Sequence, residues 1–181
     1  MSSLRLGSAR LGPDKNAIAE WDKHEGYQGR LLSRLSNGDW RTTQTVLFNC
    51  EEAMRHSSLR TIKKAISWIA AQATAYQLAD NPPTESTTEE IAEFSANHTK
   101  AGDLPYDRIV SIWWDRDVVK GMVQHIDGPA WVEGNQWVID EKKEFSDSRK
   151  AIRWMAKVAR EAVGLADADH VKWIEELERK S

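Results

Sequence analysis

Cysteine is almost absent: Cys50 is the only one in 181 residues, which excludes an internal disulfide framework and any cysteine-built zinc cluster. It closes an apolar run, where an inert buried thiol is its expected role. No stretch approaches the roughly 18 apolar residues that a membrane-crossing helix needs, so no membrane partner is expected. Met1 to Gly12 lacks the apolar core of a secretory signal, and a cytoplasmic protein is expected. The five histidines, at 24, 56, 98, 125 and 170, have no metal-ligand spacing. There is no Gly-x-Ser-x-Gly elbow and no phosphate-cradling glycine loop, so nucleophilic catalysis and standard nucleotide motifs find no support, and no cofactor or resident metal is expected. A net charge of −3 excludes binding to nucleic acid through overall positive charge, leaving local patches. Those patches are uneven: residues 1–80 carry eleven basic and eight acidic groups, and residues 81–106 carry one and five.

Tryptophan, by contrast, is abundant, with nine. Much of it falls in an internal echo. Lys64-Ala65-Ile66-Ser67-Trp68-Ile69-Ala70 returns as Lys150-Ala151-Ile152-Arg153-Trp154-Met155-Ala156. Trp21-Asp22-Lys23 and Trp40 are answered upstream of the second copy by Trp114-Asp115-Arg116 and Trp131. Self-similarity of this kind predicts a tandem, pseudo-symmetric α+β repeat, each copy an antiparallel sheet followed by a helix.

The chain divides accordingly. Residues 1–13, rich in Gly and Ser and ending at Pro13, are expected to form a flexible arm, its two arginines read first as part of a solubilising tail and second as contacts to a phosphate backbone. The first repeat spans 14–80, with strands over 17–23, 29–35 and 40–49, an Asn37-Gly38 hairpin turn, and a helix over 58–78 on the stripe Ile62, Ile66, Ile69, Ala73. An acidic linker covers 81–106. Within it Ser86 or Thr87 with Glu90 forms a helix-start signature that predicts a short helix over 88–97. The second repeat spans 107–165, with strands over 108–116, 121–126 and 136–145 and a helix capped by Ser146 or Asp147. A C-terminal helix is expected over 166–181.

Two constellations suggest metal chemistry. Asp127 with Glu141-Lys142-Lys143 has the residue order of a metal-dependent nuclease, in which two carboxylates hold a divalent ion and a lysine helps activate water. Asp115-x-Asp117 is a second acidic pair, read as an ordinary charged strand end. The tryptophans point elsewhere. Side chains alternate along a strand, so Trp113 and Trp114 must face opposite ways. The three tryptophan pairs are read as core. Trp113 and Trp137, which have no counterpart in the first copy, are read as a binding surface where bases can stack. Arg30, Arg34, Arg41, Arg108, Arg116 and Lys120 are the expected backbone contacts. On the second long helix, Arg149, Arg153, Lys157 and Arg160 gather on one face and form a candidate docking surface for an acidic partner.

Several strands followed by one helix, twice over, with Gly29-Arg30-Leu31-Leu32 on the second predicted strand, resemble the Pur-alpha and Whirly families of single-stranded nucleic-acid-binding proteins. The resemblance implies a curved antiparallel sheet backed by a helix, binding nucleic acid through the sheet. It implies contacts at Arg30, Arg34, Lys120, Gln124 and one tryptophan of the Trp113-Trp114 pair. Taken together, a binding protein without catalysis is expected. Single-stranded nucleic acid is its first ligand; a protein partner, as for a small inhibitor or adaptor of a phage or mobile element, is the second; a metal-dependent nuclease is the third. A homodimer through sheet edges or the terminal helix is the expected assembly.

Overall fold

The computed structural model describes residues 3–22, 25–49, 59–78, 88–95, 108–126 and 136–162, together with Arg179. Among the described residues there are eight strands: β1 (Ser3–Arg10), β2 (Lys15–Asp22), β3 (Gly26–Arg34), β4 (Trp40–Asn49), β5 (Thr88–Ser95), β6 (Arg108–Asp115), β7 (Val118–Ile126) and β8 (Trp137–Phe145). Helix α1 (Leu59–Leu78) follows β4, and a second helix, α2, runs over 148–162 after β8. The strands form one sheet, antiparallel at every step, in the order β4-β3-β2-β1-β5-β6-β7-β8. The protein is therefore α+β, as its sequence predicts. Each group of four strands fans outward from the central β1–β5 seam, where Gly7, Ser8 and Ala9 face Phe94, Glu93 and Ala92.

Both helices cover the same side of the sheet. Ile62, Ala65, Ile66, Ile69 and Ala73 of α1 and Ala151, Ile152, Met155, Ala156 and Ala159 of α2 enter one core. Their spacing of three and four residues sets a single apolar stripe on each helix. From the strands, Ala17, Ala19, Trp21, Tyr27, Val110, Ile112, Val119 and Val123 meet them. The helices also touch each other, where Arg160 Nη2 donates to Ser67 Oγ at 2.9 Å. Among the described residues, no helix or strand covers the opposite side of the sheet.

Two glycines let the helices approach. A Cβ on Gly29 would lie 3.0 Å from three ring atoms of Trp68, and one on Gly121 would overlap Cζ3 of Trp154. An aromatic ring from the fourth strand closes each seat: Phe48 meets Trp68 edge-on at 5.9 Å, and Phe145 meets Trp154 at 5.3 Å.

Two expectations are overturned at the seam. Residues 3–10 are not a flexible arm but β1, hydrogen-bonded on both edges, with Leu6 and Ala9 in the core. Its small residues are required there, because the Phe94 ring comes within 2.5 Å of where a Gly7 Cβ would stand. Likewise, residues 88–95 are not a helix but β5. Glu and Ala favour helix locally, yet pairing on both sides satisfies the strand backbone and buries Ile91, Ala92 and Phe94. Elsewhere the expected boundaries hold within a few residues. The turn from Ser36 to Asp39 has Gly38 at φ 92, and Asn37 Oδ1 accepts from the Asp39 amide at 3.0 Å. Asp147 caps α2 by accepting from the Arg149 amide at 2.8 Å. The expected C-terminal helix, apart from Arg179, and Trp131 lie outside the described residues.

Candidate functional site

Strand register assigns each side chain to a face. The Gly29–Ala19–Gly7–Phe94–Val110–Val123 row lies under the helices, so the alternate residues occupy the helix-free side. On the first four strands these include Arg5, Ser8, Arg10, Asn16, Ile18, Glu20, Gln28, Arg30, Leu32, Arg34 and Trp40. On the last four they include Glu90, Glu93, Ser111, Trp113, Lys120, Met122, Gln124, Lys142 and Glu144.

Glu20 anchors the first group. It is only 8% exposed, yet it is fully engaged. Arg30 Nε donates to its Oε1 at 2.6 Å and Arg30 Nη2 to its Oε2 at 3.3 Å, while Gln28 Nε2 donates to Oε1 at 2.8 Å. The remaining end of the guanidinium, Nη1, donates to Thr42 Oγ1 at 2.9 Å. This two-pronged pair on a partly shielded sheet surface fixes Arg30 across three strands. Arg30 is thus a structural cation of the sheet as well as a member of the predicted contact set.

The cations without carboxylate partners are different ones. Arg5, Arg10, Arg34 and Trp40, with Asn16, Ile18 and Glu90, line a cavity of about 310 Å³ on the helix-free side. Among the described residues, none of the three arginines forms an ion pair; Arg10 Nε reaches only the Gly12 carbonyl, at 3.4 Å. Trp40 is 43% exposed. It belongs to a tryptophan pair read from sequence as core, and here it stands at the sheet surface instead. Asn16 and Trp40 are the functional candidates that sequence reasoning passed over, and the two β1 arginines it read first as a solubilising tail and only second as phosphate contacts. Arg5 and Arg10 occur in a repeated Arg-Leu-Gly phrase, which was their only signal.

The other predicted contacts are spread out. Trp113 is on the helix-free face beside Lys120, whereas Trp114 points under the helices, its Nε1 donating to Gln77 Oε1 at 3.2 Å. Lys120 Nζ is 2.7 Å from Asp115 Oδ2. That hydrogen bond and its attraction hold the Asp115 carboxyl below its ordinary pKa and raise that of Lys120. Trp137 lies on outermost β8, 42% exposed. Arg41 pairs with Ser33 and Arg108 with His125, so both fall on the helix side of their strands. Arg116 occupies the β6–β7 turn at φ 62. On α2, Arg149, Arg153 and Lys157 are exposed, but Arg160 is tied to Ser67. The nuclease constellation loses its geometry: Glu141 and Lys143 face the helix side of β8, Lys142 faces the opposite side, and Asp127 lies outside the described residues. Among the described residues, no three His, Cys, Asp or Glu side chains gather to hold a metal, and no helix is long and apolar enough to cross a membrane.

Comparison with protein-family models, curated proteins and solved structures finds no match to this chain.

Proposed function

We propose that this chain binds single-stranded nucleic acid, without catalysis, on the helix-free face of β1–β4. The observation carrying this reading is the convergence, around an exposed indole, of three arginines that have no carboxylate partner among the described residues, on a face that no described helix or strand covers. Guanidinium groups supply the phosphate contacts and the tryptophan a stacking platform worth about 1–3 kcal/mol per base. An exposed indole on a sheet face suits unpaired bases, which can splay to stack, better than it suits a closed duplex.

The same reading includes a tandem duplication. Two runs of four strands and a helix, each with a glycine on its third strand, a tryptophan on its helix and a phenylalanine on its fourth strand, support descent from one unit. The unit includes β1 and β5. The Pur-alpha and Whirly resemblance is consistent with that plan.

A second reading, a protein partner or second copy pairing with an outer edge, is favoured by β8. Trp137, Val138 and Ile139 are all exposed on this edge, which no described strand pairs, the usual liability of a terminal strand. Tryptophan fluorescence during titration with a thymidine oligomer separates the two. Nucleic acid binding predicts quenching and, for three phosphate contacts, a slope of log affinity against log salt near −2. Absence of quenching and of binding at low salt overturns it.

A further inference from the structure

The cavity has a charge and a shape that fit one particular kind of nucleotide. Arg5, Arg10 and Arg34 place three positive charges around it, and Glu90 places one negative charge, leaving an excess of two. An internal phosphodiester carries one negative charge; a phosphomonoester carries about 1.5 to 2 near neutral pH. The volume, about 310 Å³, stands at the small end of ligand sites, which run from roughly 300 Å³ upward. It is a compartment for one nucleotide, not for a run of them. Ile18, itself buried, provides an apolar floor, and Asn16 offers both a donor and an acceptor to a base edge.

The surroundings also give the strand a direction of exit. Glu90 closes the cavity on the β5 side. A phosphate backbone continuing that way would meet like charge. Toward β3 and β4, Arg34 and Trp40 lead outward without acidic obstruction from a lining residue.

We infer that this cavity is a seat for a terminally phosphorylated nucleotide, the phosphomonoester held by Arg5, Arg10 and Arg34 and the base laid on Trp40, with the strand leaving over β3 and β4. The inference rests on the proposed binding face and deepens it. A free nucleoside monophosphate carries the same chemistry and occupies the same seat.

The test uses the full chain and a short thymidine oligomer with a 5′-phosphate, a 3′-phosphate or hydroxyl ends, with thymidine monophosphate as competitor. One phosphorylated end is expected to bind about tenfold tighter than the hydroxyl-ended strand, consistent with one added charge-assisted contact set. Thymidine monophosphate is expected to compete. Glu90→Gln, an exposed change with no ion pair to lose, is expected to tighten the phosphorylated strand more than the hydroxyl-ended one and so to widen the preference, because the more highly charged end gains most when the like charge is removed. Arg34→Gln is expected to weaken the phosphorylated strand most, with its melting curve reporting that the sheet is intact. Equal affinity for all three oligomers, with salt-dependent binding retained, overturns the seat and leaves the binding face standing. Direct binding of thymidine monophosphate, read by tryptophan quenching, without binding of any oligomer supports the seat and overturns the face. Binding of neither overturns both.

Discussion

Beneath the helices, the third strands of the two half-sheets are treated alike: Trp68 lies on Gly29 and Trp154 on Gly121, each with a phenylalanine against its edge. On the opposite side the same two strands part company. β3 presents Gln28 and Arg30, locked onto buried Glu20, while β7 presents Lys120, paired with Asp115 at the surface. The difference follows from what each face must do. A face that seats a helix has to keep its volume, since overpacking a core costs about 1–3 kcal/mol. A face that no described helix or strand covers is free to change charge. In the first half that freedom leaves three arginines with no carboxylate partner among the described residues; in the second it sets Glu90, Glu93 and Glu144 among Lys120 and Lys142.

The sharpest way to break the likeness is to fill the glycine seats. Gly121→Ala is expected to lower stability by about 3 kcal/mol and Gly29→Ala by about 1 kcal/mol, because Trp154 already occupies the new methyl's position whereas Trp68 is 3.0 Å away. Thermal melts of the two variants check the ranking; equal effects would mean that the seats relax alike. Next is the Glu20–Arg30 pair. Removing the carboxylate in Glu20→Ala is expected to cost about 2 kcal/mol, since it orphans donors on Arg30 and Gln28. A double-mutant cycle with Arg30→Ala measures the coupling. A smaller effect of opposite sign is expected at the β6–β7 turn. Arg116 holds φ 62, a left-handed conformation that costs a side chain about 1 kcal/mol. Arg116→Gly is therefore expected to be neutral or to raise the melting temperature slightly. Smallest is the surface Lys120–Asp115 pair. The folded-state pKa of Asp115 is depressed, so its contribution is present at neutral pH and lost as pH falls through the lowered value. That of Lys120 is raised, so its contribution is lost only as pH rises through the raised value. Asp115→Asn is expected to flatten the acid side of the urea midpoint against pH by lowering the midpoint slightly at neutral pH and leaving it unchanged at low pH.

What the sequence makes legible follows from how local each signal is. The Asn37-Gly38 turn, β4, the α1 stripe and the Asp147 cap are written in neighbouring residues, and all are found where expected. β1 and β5 are not written locally. Arg-Leu-Gly and Thr-Glu-Glu read as tail and helix, and become strands because each completes the other's hydrogen bonding across more than eighty residues of chain. The candidate site fails to show for the same reason. Arg5 and Arg10, Asn16, Arg34 and Trp40, and Glu90 come from five strands, and only the central seam brings them together. Conversely Arg30, conspicuous beside Gly29, is engaged by Glu20 ten positions earlier, a pairing that register alone determines.

The most direct test of the binding face is photo-cross-linking of a thymidine oligomer bearing a photoreactive base to the full chain, followed by mass-spectrometric mapping. The account predicts adducts at Trp40 and on β1–β3, lost in excess salt. Adducts confined to Arg149, Arg153 and Lys157 of α2, on the other side of the sheet, would contradict it.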